Sequence, residues 1–147
     1  MEPRTERARE AFVRSALADT RFAAVRWVAE TGSTNDDLSE LARKGAGEQV
    51  LITDLQTAGK GRRNRVWTAP TDSGVLMSVL LRDVEPSDGF WSVGALALAA
   101  SEAIGELIDV PCSLKWPNDV MIDTVNGQKK VAGVLAQLVD QAIVVGI

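Results

Sequence analysis

Residues 56–67 read Gln-Thr-Ala-Gly-Lys-Gly-Arg-Arg-Asn-Arg-Val-Trp, placing the cations Lys60, Arg62, Arg63 and Arg65 beside Gly59 and Gly61 with no acid among them. Glycine lets a backbone approach a ligand closely, and guanidinium and ammonium groups give charge-assisted bonds to carboxylate or phosphate. Whole-chain composition sharpens this: 16 basic and 20 acidic residues leave a net charge of -4, with a pI of about 4.9. So local a cationic patch in an acidic chain predicts a small anion as partner. A nucleic-acid-binding domain usually shows a basic face, so nucleic acid is not expected here. Alternatively, the segment is a solvated basic loop or a localisation signal.

Three further segments carry polar groups at suggestive spacings. Lys115-Trp116-Pro117-Asn118-Asp119 joins a cation, an aromatic, a turn former, an amide and a carboxylate. Its amide and carboxylate suit an adenine edge or a phosphate-bound Mg²⁺, and equally a plain strand-to-turn transition. Lys129 and Lys130 precede an apolar run with Gly133 inside it, and a glycine in a strand often marks a close backbone approach. Two solvent-facing hairpin lysines and a bulge explain the same residues. Ser33-Thr34-Asn35 offers hydrogen-bond donors and acceptors for a neutral amide-like group, or else helix capping.

The chain has no histidine, which removes Ser-His-Asp and Cys-His catalysis and most zinc sites together. Its single Cys112 cannot form an internal disulfide, which fits a reducing compartment. The charged N-terminus lacks the apolar stretch of a signal peptide. No apolar run approaches membrane-spanning length, residues 93–100 being the longest, so a cytoplasmic protein with no membrane partner is expected.

Elements must position these groups. Ala8, Phe12 and Ala16 at helical spacing predict an amphipathic helix over 5–19. Strands are expected over 25–29, 50–55, 74–81 and 113–116, with a helix from the 31–37 turn to about residue 44. Residues 91–108 read as the best helix, with Leu96, Ala100, Ala103, Ile104 and Leu107 on its apolar stripe. An Asn126-Gly127 turn predicts a hairpin between 120–122 and 131–139, and residues 142–147 start one more strand. Crossovers mixed with hairpins imply an α+β domain with a mixed β-sheet and helices on one face. The chain stops within the apolar run 143–147, which suggests truncation.

Taken in order, Ser-Thr-Asn, Gln-x-Ala-Gly-Lys-Gly-Arg-Arg-x-Arg-x-Trp, Lys-Trp-Pro-Asn-Asp and Lys-x-Ala-Gly-Val-Leu resemble the biotin–protein ligases, from about Glu30 onward. The resemblance implies a class II synthetase-like biotinyl/lipoyl ligase catalytic domain over residues 1–147, without the winged-helix DNA-binding domain or C-terminal β-barrel of longer members. It implies ATP-dependent formation of biotinyl-5′-AMP and transfer of biotin to a lysine of the biotin carboxyl carrier domain of an acyl-CoA carboxylase. ATP, biotin and Mg²⁺ are the implied ligands, and a homodimer paired through the sheets is the implied assembly.

By that resemblance, Ser33, Thr34, Asn35 and Gln56 line the biotin ring system. Lys60, Gly61 and Arg62 close over its carboxylate and the adenylate, with Lys130 and Gly133 against the same group. Arg65, Trp67, Lys115, Asn118 and Asp119 serve the nucleotide, and Arg62, Lys115 and Lys130 carry the catalytic charge. No metal-ligand set is assigned. Three positions depart from the family pattern: Lys60 replaces a usual arginine, Asn64 a usual glycine and Gln137 a common glutamate. A lipoate–protein ligase relative or a non-catalytic biotin-binding fragment are the alternatives, to be separated by acid specificity and by pyrophosphate exchange.

Overall fold

The computed structural model describes residues 3–147; Met1 and Glu2, in the charged N-terminal stretch, lie outside the described residues. Chain order is α1 (Pro3–Ala16), β1 (Val25–Thr31), α2 (Thr34–Arg43), β2 (Gln49–Gln56), a single 3-10 turn (Arg62–Asn64), β3 (Leu76–Leu81), α3 (Asp88–Ile108), β4 (Cys112–Lys115), β5 (Asp119–Thr124), β6 (Gly127–Gly133), β7 (Leu135–Val139) and β8 (Ala142–Gly146). A five-stranded sheet runs β1-β2-β3-β8-β7, and a separate three-stranded sheet runs β4-β5-β6. The β1–β2 pair is parallel, joined through α2, and every other pair in the large sheet is antiparallel. This is the expected mixed sheet.

Side chains alternate across a strand, and the alternation divides the core in two. Val50, Ile52, Val79 and Val145 face one side, where Val13 and Leu17 from the α1 end and Val93, Leu96, Ala97, Ala100 and Ile104 of α3 pack on them. Leu51, Leu80 and Val144 face the other side and meet Leu38 and Ala42 of α2. The helices, expected on one face, therefore cover both. Periodicity shows that a helix has an apolar stripe, but which sheet face it covers follows from chain connections.

Two expected stripes are shifted. On α1 the inward apolar residue is Val13, whereas Phe12 is 76% exposed; Arg9 and Glu10 face the sheet instead, through Asp54 and the Trp27 backbone. On α3, Ala103 and Leu107 are exposed, and Val93 and Ala97 replace them. This 21-residue helix reaches a mean hydropathy of 1.3, long and apolar enough by composition to cross a membrane. Here it packs along the strands through its inward stripe.

The expected strand over 131–139 is two strands in different sheets. β6 pairs with β5 in the small sheet and β7 with β8 in the large one. Val134 is the crossing point, held by Val134 N–H to Asn118 O at 2.8 Å and by Asn118 Nδ2 to Val134 O at 3.0 Å. An apolar run carries no mark of a change of sheet; the side chain that fixes it lies sixteen residues upstream. At the far end of α2, Arg82 donates to Ala42 O at 2.7 Å and to Ala46 O at 2.8 and 2.9 Å, satisfying carbonyls near the helix end.

Candidate functional site

The two sheets and the basic segment enclose a cavity of about 350 Å³, within the range of small-molecule sites. Its floor is the β1–α2 junction. Ser33 sits at the N-cap position but makes no side-chain cap bond, and Ser33, Thr34 and Asn35 are all buried. Capping is therefore not what these hydroxyl and amide groups do. Gln56, at the end of the adjacent parallel strand β2, accepts from Thr34 N–H at 2.8 Å through Oε1, which turns its NH₂ group away from that contact.

Beneath the floor lies Ser78 of β3, fully buried. Its hydroxyl donates to Asn35 Oδ1 at 2.5 Å and lies 2.7 Å from Thr34 Oγ1. Asn35 Nδ2 donates to Leu135 O at 3.2 Å. A hydroxyl has one proton; with that of Ser78 given to Asn35, the Thr34 hydroxyl donates to Ser78. Gly146 of β8 closes the group: a Cβ there would run into Asn35 Oδ1 and stand 2.7 Å from Ser78 Oγ. Ser78 and Gly146 have no signature in sequence, because each acts across the sheet on residues 43 to 111 positions away.

The basic segment forms one wall as a short folded-back loop. Trp67 N–H bonds to Gly59 O at 2.9 Å, Gly61 N–H to Arg65 O at 2.8 Å, and Lys60 pairs with Val66 in a bridge. The expectation of an irregular loop is thus refined to a small hairpin around the 3-10 turn. Arg63 and Asn64 take left-handed φ values of 57° and 59°, a region asparagine enters more readily than most residues.

The small sheet forms the opposite wall. Lys130 Nζ lies 2.7 Å from Asp119 Oδ1 and 5.2 Å from the Trp67 ring centre. It also fills the space above Gly133, where a Cβ would sit 2.7 Å from the ammonium. Arg62 reaches across to Asn118 Oδ1 at 3.2 Å, joining loop to sheet. Both ends of the Asn118 amide are thereby engaged by the chain itself. On the loop, Lys60 Nζ lies 2.6 Å from Asp36 Oδ2. Arg62, Arg63 and Arg65 have no carboxylate partner among the described residues, and their side chains are exposed.

Thirteen of the anticipated positions line this one cavity: Ser33, Thr34, Asn35, Gln56, Lys60, Gly61, Arg62, Arg65, Trp67, Asn118, Asp119, Lys130 and Gly133. Lys115 does not. It stands exposed on β4, paired in register with Asp119 but outside the cavity lining. Arg63, named above only as one cation of the basic patch, joins the lining with Val66, Pro117, Val134, Leu135, Gly146 and Ile147, to which no role was given. A neutral polar floor facing a cationic wall suits a ligand with a polar, uncharged end and an anionic end.

A model of the biotin/lipoate A/B protein ligase family matches residues 28–147. The chain belongs to this family. Among the family's curated members, the biotin–[acetyl-CoA-carboxylase] ligase of Mycobacterium tuberculosis is 41% identical over 127 residues, covering 82% of this chain and 46% of that protein. The bifunctional ligase/repressor BirA of Bacillus subtilis is 39% identical over 108 residues, covering 72% of this chain and 32% of its own length. This chain thus spans about half the length of the first relative and a third of the second. In the same ligase family, the biotin protein ligase from Aquifex aeolicus solved with biotin and ATP superposes with a TM-score of 0.70 at 35% identity, over 85% of this chain and 51% of that one.

Proposed function

We propose that this chain carries the biotin- and phosphate-facing portion of a biotin–protein ligase, which activates biotin with ATP to biotinyl-5′-AMP and passes it to a lysine of an acyl-CoA carboxylase's biotin carboxyl carrier domain. The observation that carries the reading is the pairing of a neutral floor, Ser33, Thr34, Asn35 and Gln56, with cations from two facing walls, Lys60, Arg62 and Arg65 on the loop and Lys130 on the small sheet, in one cavity. Biotin has a polar, uncharged ring at one end and a carboxylate at the other, which matches that division.

In the first step a biotin carboxylate oxygen forms a bond to the α-phosphorus, and the bond from that phosphorus to the pyrophosphate oxygen breaks. Two anions approach, and charge builds on the transferring group. Fixed cations aimed at that charge are the main catalytic device for such chemistry. Lys130, steadied by Asp119 and Trp67, serves the carboxylate and α-phosphate. Arg62 bridges the loop and the small sheet over the adenylate, Arg65 holds the departing pyrophosphate, and Gly61 and Gly133 allow close approach. Lys115, exposed on β4 and paired in register with Asp119, keeps its assignment to phosphate at the edge of the cavity. In the second step the carrier lysine amine attacks the mixed anhydride and releases AMP, so positioning supplies much of the rate. No histidine is required.

Among the described residues no three His, Cys, Asp or Glu side chains converge on a metal-binding point. Asp119 is the carboxylate at the cavity, and this donor set suits a Mg²⁺ that arrives on nucleotide phosphates. The cytoplasm as compartment and a homodimer as assembly belong to the same proposal.

Biotin-dependent ATP–pyrophosphate exchange, with lipoate as the control acid, tests the reading. Exchange with biotin alone is the expected result. Exchange with lipoate would transfer the assignment to the lipoate branch, and biotin binding without exchange would reduce the chain to a binding fragment.

A further inference from the structure

Asp36 lies in the first turn of α2, directly after the three residues that form the cavity floor. Its carboxylate holds Lys60 through both oxygens, at 2.8 and 2.6 Å. Lys60 lines the cavity, whereas Asp36 does not. The pair therefore ties a cavity-lining lysine to a carboxylate outside the lining. It is also the basic loop's sole carboxylate contact among the described residues, since Arg62 meets only the neutral Asn118 amide. Lysine suits a shared role better than arginine, because it is a point charge on a flexible stem with no planar fork to lock.

We propose that Asp36 occupies Lys60 before any ligand does, latching the basic loop to α2, and that an incoming carboxylate or phosphate takes Lys60 from it by exchange. This deepens the reading above and rests on it for the identity of the ligand, though not for the latch. Asp36 is then a positioning residue: it sets how much of the loop's charge is available and how firmly the loop is held in the ligand-free protein.

The test compares Asp36→Asn with Asp37→Asn, which removes a neighbouring first-turn carboxylate that bonds Thr31 instead of Lys60. Exposed ion pairs of this kind hold a loop by a factor of about two to five. Trypsin, acting on ligand-free protein, should therefore cut after Arg62, Arg63 or Arg65 about two- to fivefold faster in Asp36→Asn than in wild type or Asp37→Asn, as read by mass spectrometry. Equal rates in all three overturn the latch, whatever the protein binds. Calorimetry with biotin and with its uncharged carboxamide then tests exchange. Asp36→Asn should tighten biotin by a similar factor and leave the carboxamide unchanged. An equal effect on both ligands, or none on biotin, overturns the exchange. Failure of wild type to bind either ligand overturns the biotin reading, while the trypsin result still decides the latch.

Discussion

Replacing Ser78 by alanine removes one oxygen from beneath the cavity floor, and the bonding pattern determines the consequence. Ser78 Oγ receives from Thr34 and donates to Asn35 Oδ1. Without it the Thr34 proton turns to Gln56 Oε1, already 3.1 Å away, so that donor is not orphaned. Asn35 Oδ1 has no such alternative among the described residues. A buried acceptor left unsatisfied costs about 1–3 kcal/mol. The prediction is that loss once, and not twice. In urea unfolding this corresponds to a midpoint lowered by roughly 0.5–1.5 M at unchanged slope, for a slope of about 2 kcal/mol per M. The isosteric Thr34→Val change leaves the Ser78–Asn35 bond intact and Gln56 Oε1 bonded to the backbone, so it should cost about 1 kcal/mol or less. If Thr34→Val proved the more costly of the two, or if Ser78→Ala cost nothing, the bond direction assigned here would be wrong.

Two other outcomes follow from the same framework. Gly146→Ala places a methyl group against Asn35 and Ser78, and overpacking of this kind costs about 1–3 kcal/mol; a thermal midpoint equal to that of wild type would contradict the registry of β8 under α2. Glu48 accepts from Arg21 and from the Arg82 backbone, which hold its carboxyl below its ordinary value of 4.5, the Arg21 hydrogen bond being the larger cause. A lowered folded pKa gives stability that is present above the unfolded pKa and is lost as pH falls through the folded one. Wild type should therefore exceed Glu48→Gln by about 1 kcal/mol or less near neutrality, and the two should converge on acidification. A gap that widened with acid would refute that linkage.

The sequence by itself named most of the residues that line the candidate site. Gln56, Lys60, Arg62, Arg65 and Trp67 lie within twelve residues, and Asn118, Asp119, Lys130 and Gly133 in two short motifs, and the order of those motifs, through their resemblance to the biotin–protein ligases, grouped them. Strand and helix positions were legible because a local period of apolar residues survives whatever the element later packs against. Tertiary structure decided the rest. It put α2 on the face opposite α1 and α3, divided residues 131–139 between two sheets at Val134, left Phe12 and Lys115 outward, and set Ser78 and Gly146 under Asn35. It also made Asn118 a clasp between the sheets and gave Lys60 the Asp36 partner. Each of these depends on a contact between residues far apart in the chain. Such contacts are selected by the packing of whole elements, and no local pattern of residue types encodes which distant partner a side chain will meet.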